Sequence, residues 1–243
     1  MNILCSVSYD GFEFSGWQKQ PNKITIQETI ENALSQIYNQ NINIVGAGRT
    51  DSGVHSFRNY FNFKINDNKI PLEKIPIVIN NQLPKSIRII DAKLVSDDFS
   101  ARYNATRRIY EYYIEQTPPT PFLRNYRMFY EKYLDVQKMN EAAKYLIGEY
   151  DFSAFKASDC DSKTQIRQVF DAYVKKSENT IIFHIEANAF LKNMVRIIVG
   201  TLLNIGAGKQ SIDYIDFLIK SRERVRAGKT VEPNGLFLID VIF

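Results

Sequence analysis

The chain has 243 residues, of which 44% are hydrophobic and 24% are charged, and its net charge at pH 7 is +4. This composition is ordinary for a globular protein, and it excludes a histone-like polybasic protein while permitting a nucleic-acid partner. No stretch approaches the roughly 18 apolar residues of a membrane span. Cys5 and Cys160 form no metal-binding motif, so they are expected to be reduced thiols in a cytoplasmic protein.

The first part of the chain alternates between predicted strands and helices. Alternating hydrophobicity predicts strands at residues 3–9, 42–45, 54–65 and 87–95, and helical periodicity predicts helices at residues 25–38 and 71–82. Thr25 and Glu28 have the spacing of a capping box, which places the start of the first helix at Thr25.

The second part of the chain repeats this alternation. Strands are predicted at residues 107–114, 168–175, 180–188 and 236–243, and helices at residues 135–148, 190–205 and 211–226. The proline-rich stretch at residues 117–121 is the clearest internal break. The order of elements predicts two α+β halves, residues 1–104 and 105–243, that share one sheet with helices beside it.

The glycine-rich stretch at residues 46–53, GAGRTDSG, is a candidate for chemistry. A dinucleotide-binding fingerprint is excluded, because Asp51 replaces its third glycine and a strand follows where a helix is required. A phosphate-binding P-loop is excluded because no Gly-Lys-Ser/Thr follows. The stretch therefore predicts a tight loop that presents Arg49, Thr50 and Asp51. The alternative is an ordinary turn in which Asp51 caps backbone amides.

Arg196 is unusual because it lies within the nearly continuous apolar run of the predicted helix at residues 190–205. A buried guanidinium is costly unless a carboxylate pairs with it. Asp51, Asp151 and Glu186 are candidate partners. The alternative is that the side chain extends to the surface.

Tyr110 and two basic clusters are further candidates for contact with a nucleic acid. Tyr110 lies in an aromatic strand, where it either packs in the core or stacks on an extruded base. The clusters are either solvated faces or phosphate contacts. Their members are Arg102, Arg107 and Arg108 in the first, and Lys220, Arg222, Arg224, Arg226 and Lys229 in the second.

Seven motifs in order give the chain a resemblance to the tRNA pseudouridine synthase A family along essentially its whole length. They are Tyr9-Asp10-Gly11 with Gly16-Trp17-Gln18, the helix from Thr25 to Gln36, the stretch from Gly46 to His55, Phe99 to Arg102 with Arg107 to Tyr110, Asp151 to Phe155, Ala189 to Arg196, and Pro233 to Leu236.

The resemblance implies a pseudouridine synthase fold, in which two ferredoxin-like halves share a continuous antiparallel sheet flanked by helices, with a cleft between the halves. It also implies a homodimer that isomerises uridine to pseudouridine at positions 38 to 40 of the tRNA anticodon stem-loop. Members use no cofactor and require no metal. Asn193, Gln165 and Glu232 depart from the usual pattern, which leaves the preference among uridines open.

The resemblance also assigns roles to individual residues. Asp51 matches the essential aspartate that acts on C1′ of the target uridine, and Arg49 matches the arginine that helps to expel the base. Tyr110 matches the tyrosine that packs on the target base and is a candidate base for deprotonating the sugar. Arg196 matches the arginine that pairs with the aspartate. The predicted tRNA contacts are Arg107, Arg108, Lys192, Arg222, Arg224 and Arg226.

Three other functions remain to be weighed against this one. They are a synthase acting on other uridines in tRNA or another RNA, a non-catalytic RNA-binding protein of the same fold, and a small-molecule enzyme using the glycine-rich loop. His55, directly after the loop, resembles a general base but is expected to be a structural imidazole.

Overall fold

The computed structural model describes residues 1–67 and 69–243. Its strands are β1 (Asn2–Tyr9), β2 (Ile44–Gly46), β3 (His55–Lys64), β4 (Ile87–Val95), β5 (Arg107–Glu115), β6 (Met128–Phe129), β7 (Gly148–Asp151), β8 (Ile166–Ser177), β9 (Thr180–Ala187) and β10 (Leu236–Ile242). Its α-helices are α1 (Ile26–Tyr38), α2 (Ile75–Asn80), α3 (Ala101–Asn104), α4 (Val136–Ala143), α5 (Met194–Gly206) and α6 (Tyr214–Ser221). The predicted α+β class, with a mostly antiparallel sheet flanked by helices, is confirmed.

The chain divides into two compact units. Unit 1 contains Met1–Arg108 together with Phe237–Phe243, and unit 2 contains Ile109–Leu236. The last seven residues thus belong to unit 1, although the sequence places them in the second half. The reason is that β10 pairs in parallel with β3, with Phe237 opposite His55.

The sheet of unit 1 has the strand order β4-β1-β3-β10, and β2 pairs with β3 as well. β1 is antiparallel to both β3 and β4. β2 and β10 both pair with β3. β2 runs antiparallel to β3 at Phe61–Phe63, and β10 runs parallel to β3 at His55 and Ser56. The loop from β2 to β3 therefore ends where β10 begins to pair with β3.

The core of unit 1 lies between this sheet and its helices. Ile3 and Val7 of β1 pack in one buried cluster with Ile26 and Ile30 of α1, as the two predicted periodicities require. The side chain of Thr25 accepts a hydrogen bond from the backbone N–H of Glu28, which confirms the predicted start of α1.

The sheet of unit 2 has the order β5-β9-β8-β7, with β6 parallel to β5. Eleven of the thirteen residues of α5 are buried, so the prediction of a buried apolar helix is confirmed. The helix begins at Met194, four residues later than predicted. Asn193 adopts a left-handed conformation with φ of 61°, and a residue in that conformation interrupts a right-handed helix.

Three other predicted helices are also shorter in the structure. The predicted helix at residues 71–82 is a 3₁₀ turn followed by the six residues of α2, with Pro76 in the first helical turn, where a missing N–H is tolerated. The predicted helix at residues 135–148 ends earlier, and residues 148–151 form β7 instead. Asp135 does cap α4 through the backbone N–H of Lys138.

The predicted helix at residues 211–226 is wrong at both ends. α6 spans only Tyr214–Ser221, and Arg222 terminates it in a left-handed conformation with φ of 60°. Residues 224–226 form a separate 3₁₀ turn. Across residues 1–67 and 69–243, no helix combines the length and the apolar character needed to cross a membrane.

Candidate active site

The loop that carries Asp51 is fixed to unit 1 by backbone hydrogen bonds on both sides of that residue. Trp17 N donates to Thr50 O at 3.0 Å, and Gly53 N donates to Phe14 O at 3.3 Å. Val54 N donates to Asp51 O at 3.1 Å, closing a turn over the loop. These bonds hold the loop as the connection between two antiparallel strands, as the sequence predicts.

Two glycines let the segment at residues 11–17 lie directly against this loop. A Cβ on Gly11 would stand 2.0 Å from Val54 O, which is far inside van der Waals contact. Gly16 has φ of 87°, and a Cβ there would stand 2.7 Å from Thr50 O. The motifs at residues 9–11 and 16–18 therefore form the wall against which the loop is packed.

A buried polar network lies beneath the loop. The Tyr9 hydroxyl and Thr50 Oγ1 are 2.9 Å apart, and Asn59 Nδ2 donates to Gly48 O at 3.0 Å and to the Tyr9 hydroxyl at 3.4 Å. Burial raises the pKa of Tyr9 to about 12, so this hydroxyl stays protonated. The sequence analysis missed these supports, although Asn59, a polar residue at a buried strand position, was a usable signal.

His55 is a structural imidazole, as predicted. Its residue is 1% exposed, and its ring stacks on that of Phe237 with 4.7 Å between centroids. Its Nδ1 atom is 3.1 Å from Gly11 N and 3.0 Å from Asp10 Oδ1. A single ring nitrogen either accepts from Gly11 or donates to Asp10, so the tautomer decides which bond is made.

The polar side chains of the loop are unequally accessible. Arg49 is exposed, Thr50 is buried and Asp51 is half-buried. The beginning of the loop is held by Arg108, whose Nη2 donates to Ala47 O at 2.9 Å. Arg107, its neighbour, is exposed.

In unit 2, Tyr110 lies on β5 and is buried. Its ring meets the ring of Phe190 edge-on, with 5.0 Å between centroids and 82° between planes. Packing and a role in stacking on a base are therefore both compatible with its position at an aromatic cluster.

Arg196 lies in the first turn of α5 and is half-buried, between the two predicted extremes of full burial and surface extension. Its Nε donates to Val231 O at 2.8 Å, and its Nη1 donates to Asn193 Oδ1 at 2.9 Å. Asp151, one of the alternative carboxylate partners, instead contacts Arg222 at 3.4 Å. The guanidinium of Arg196 is thus oriented by its own unit.

The remaining predicted tRNA contacts of unit 2 are engaged with other side chains or with backbone. Lys192 Nζ is 2.6 Å from Asp159 Oδ2. Arg226 Nε is 2.7 Å from Glu223 Oε2, and Arg224 donates to Gly228 O at 3.1 Å and to Thr230 Oγ1 at 3.2 Å. Arg222, Arg224 and Arg226 do not line one helical face, because α6 ends before them.

Known proteins match this chain over most of its length. The sequence profile of the tRNA pseudouridine synthase family matches residues 5–104 and 142–243. The chain is similar to the tRNA pseudouridine synthase A of Caldicellulosiruptor bescii, with 47% identity over 100% of this chain and 99% of the relative. The corresponding protein of Thermoanaerobacter sp. and tRNA pseudouridine synthase A 2 of Clostridium perfringens are 45% and 42% identical, with the same two coverages.

Proposed function

Because the chain belongs to the tRNA pseudouridine synthase family, we propose that it converts uridine to pseudouridine at positions 38 to 40 of the tRNA anticodon stem-loop. An isomerase acting on tRNA uridine is the activity common to this family and its relatives. The choice of positions rests on the resemblance of the motifs. The single observation that best supports catalysis by this chain is the rigidly held loop that presents the half-buried carboxylate of Asp51.

The proposed reaction breaks the C1′–N1 bond of the target uridine and forms a C1′–C5 bond in the same nucleotide. The C5 proton is lost and N1 gains a proton, so the product is an isomer and no electrons are exchanged. In this proposal the Asp51 carboxylate acts at C1′, either as a nucleophile or by stabilising the positive charge that develops there. The departing uracil carries negative charge, which nearby hydrogen-bond donors stabilise.

The other proposed roles follow the same resemblance. Arg49, exposed beside Asp51, helps to expel the base, and Tyr110 packs on the turned uracil and is the candidate base for the sugar proton. Arg196 pairs with the catalytic aspartate. Its fixed orientation supports such a role, because a guanidinium already held by Val231 and Asn193 loses little freedom on forming a further contact.

The proposed partner is tRNA, bound by a homodimer in the cytoplasm. Basic side chains at Arg107, Lys192, Arg222 and Arg226 are proposed to contact phosphates, and binding is then expected to weaken as salt concentration rises. Extrusion of the target uridine from its stack costs a few kcal/mol, roughly, which favours uridines in loops and at stem ends.

The test is to incubate the protein with unmodified tRNA transcripts and to map pseudouridine by carbodiimide labelling, with Asp51→Ala in parallel. We expect pseudouridine at positions 38 to 40 with the wild-type protein and none with the variant. Pseudouridine elsewhere would support a synthase with other target sites. Tight tRNA binding with no pseudouridine from the wild-type protein would support a non-catalytic RNA-binding protein and overturn the proposal.

A further inference from the structure

Phe57, the third residue of β3, is an aromatic residue to which the proposed reaction gives no role. It lies on the strand that directly follows the Asp51 loop, and it is 54% exposed. Large apolar side chains are often exposed singly on protein surfaces, so exposure alone identifies no binding site. The stacking, orientation and charge of this part of β3 distinguish Phe57 from such residues.

Phe57 is the exposed end of an aromatic stack, formed by His55, Phe237 and Phe57, that begins beside the Asp51 loop. The centroid of the Phe237 ring lies 4.7 Å from that of His55 and 5.2 Å from that of Phe57, with 24° and 22° between the planes. His55 and Phe237 are 1% and 8% exposed, so the stack runs from the interior of unit 1 to its surface. In the described part of the chain, Phe237 is the only aromatic neighbour that contacts Phe57.

A β-bulge directs the ring of Phe57 to the face of the sheet that is turned away from α1 and α2. Tyr9 belongs to the core cluster that packs on these helices, and its partner Ser56 therefore lies on the same face. Successive side chains of a strand point to opposite faces, so Phe57 points away from the helices. Without the register shift between Val7 and Tyr9, Phe57 would share the core face of Phe61, four residues later. Bulges commonly redirect side chains next to active sites.

The composition of β3 favours contact with RNA. The strand carries two exposed basic side chains, Arg58 and Lys64, and no carboxylate. RNA-recognition domains stack unpaired bases on aromatic rings of an open sheet face, which is the arrangement of Phe57. Because Phe237 already orients the ring of Phe57, that ring loses little freedom when a base stacks on it.

We propose that the exposed ring of Phe57 stacks on the base of an unpaired nucleotide next to the target uridine of the tRNA substrate. Every base has a π-face, so the contact tolerates changes of sequence. Three residues of extended chain, roughly 10 Å, separate Val54 from Phe57. The ring therefore lies farther along β3 than the Asp51 loop, where it serves a neighbouring nucleotide and not the target base. The proposal rests on tRNA being the substrate.

The fluorescence of a single labelled base tests the contact directly. A series of tRNA transcripts, each with 2-aminopurine at one unpaired position beside the target uridines, is bound to the wild-type protein, to Phe57→Leu and to Phe57→Trp. We expect the wild-type protein to quench one position, because stacking on an aromatic ring quenches this base. Phe57→Leu should lose that quenching and bind tRNA about tenfold more weakly, whereas Phe57→Trp should retain both properties. The same quenching by the wild-type protein and Phe57→Leu at every position would overturn the proposal.

Steady-state kinetics separates a contact with a base from a structural role in supporting the Asp51 loop. If Phe57 binds the substrate, Phe57→Leu raises KM by about tenfold and changes kcat by less than about twofold. If Phe57 instead supports the loop through Phe237 and His55, loss of the ring displaces Asp51, so kcat falls while KM is retained. The second result would mean that the contact with a base is wrong.

Phe12 is the matched control for Phe57. It is also a phenylalanine of unit 1 with 54% exposure, but within residues 1–67 and 69–243 no aromatic ring stacks on it. Phe12→Leu thus removes an equally exposed ring and leaves the aromatic stack intact. We expect Phe12→Leu to match the wild-type protein in quenching and in tRNA affinity. Equal losses in Phe12→Leu and Phe57→Leu would show that the effect does not depend on the stack, and the proposal would be wrong.

Pseudouridine mapping with the wild-type protein distinguishes failure of this contact from failure of the proposed function. Pseudouridine formation without any quenching that depends on Phe57 would overturn the contact alone. Quenching that depends on Phe57, without pseudouridine formation, would overturn the proposed function and support the contact.

Discussion

The loop at residues 47–54 and the segment at residues 222–226 are both polar, and both are predicted to act on RNA, but their side chains are engaged differently. The loop is fixed through its backbone and through close contact with Gly11 and Gly16. The segment also makes backbone hydrogen bonds, and in addition each of its three arginines contacts an acid or an oxygen of unit 2.

The difference decides which charges are available to a substrate. The side chain of Arg49 on the loop is exposed, whereas the arginines of the segment use part of their hydrogen-bonding capacity on contacts within unit 2. Two arginines of the segment are nevertheless well exposed: the side chain of Arg222 is 64% exposed and that of Arg226 is 52% exposed. Their ion pairs are weak because water competes for both charges.

The largest effect is expected at Asp51. Asp51→Asn retains the size of the side chain and removes its charge, so the loop should persist while pseudouridine formation falls by at least about 10³-fold. Asp97→Asn, at an exposed position, is the control and should retain full activity. The measured tRNA affinity should change little in either variant. Substantial activity in Asp51→Asn would show that Asp51 does not take part in the catalytic step.

A smaller effect is expected from displacing the loop without changing its chemistry. Gly11→Ala places a Cβ against Val54 O, so the loop must move, at a cost of about 1–3 kcal/mol in unfolding free energy. We expect kcat to fall by about 10²-fold, more than any change in KM, since catalysis depends on the position of the carboxylate.

Gly208→Ala is the matched control for this substitution. Gly208 has φ of 73°, but nothing lies within 4 Å of a Cβ there, so the change strains the backbone without moving the Asp51 loop. Its unfolding free energy should fall by about 1 kcal/mol while kcat is retained. An equal loss of kcat in both variants would show that general destabilisation, and not loop position, lowers activity.

Arg224 should behave as a structural residue. Its hydrogen bonds to Gly228 O and Thr230 Oγ1 tie the segment to the stretch that follows it. Arg224→Ala should lower the unfolding free energy by about 1–2 kcal/mol, measured by urea denaturation, and should leave the salt slope of tRNA binding unchanged. A reduced salt slope of tRNA binding with an unchanged unfolding free energy would show that Arg224 contacts tRNA instead.

The smallest effects are expected from the exposed arginines. Arg222→Glu and Arg226→Glu should each weaken tRNA binding by about two- to fivefold at low salt, and the difference from the wild-type protein should shrink as salt rises. Unchanged affinity at low salt in both variants would show that this segment does not contact tRNA.

The sequence predicted most of the strands, because alternation is a local signal, as in β5, where Tyr110, Tyr112 and Ile114 are buried and their neighbours Glu111 and Tyr113 are only half-buried. It misplaced the start of α5 and both ends of α6. The start of α5 and the end of α6 lie at Asn193 and Arg222, non-glycine residues with positive φ, which carry no residue-type signal as strong as glycine.

The candidate site was predictable to a different extent. Asp51 and Arg49 follow from a motif that is continuous in sequence, Arg196 from its place in an apolar helix and Tyr110 from its place in an aromatic strand. The resemblance then assigns their roles. The supports of the loop, such as the bond from Asn59 to Gly48, join residues that are distant in sequence and lack a local pattern.

The parallel pairing of β10 with β3 has a consequence for how the protein is made. Phe237 and Leu238 lie opposite His55 and Ser56, so the strand that follows the Asp51 loop gains this neighbour only from residues about 180 positions later in the sequence. At synthesis rates of roughly 5–20 residues per second, β3 waits about 10 seconds or longer for β10 to be made. The strand that holds one end of the Asp51 loop is therefore among the last parts of unit 1 to complete its pairing.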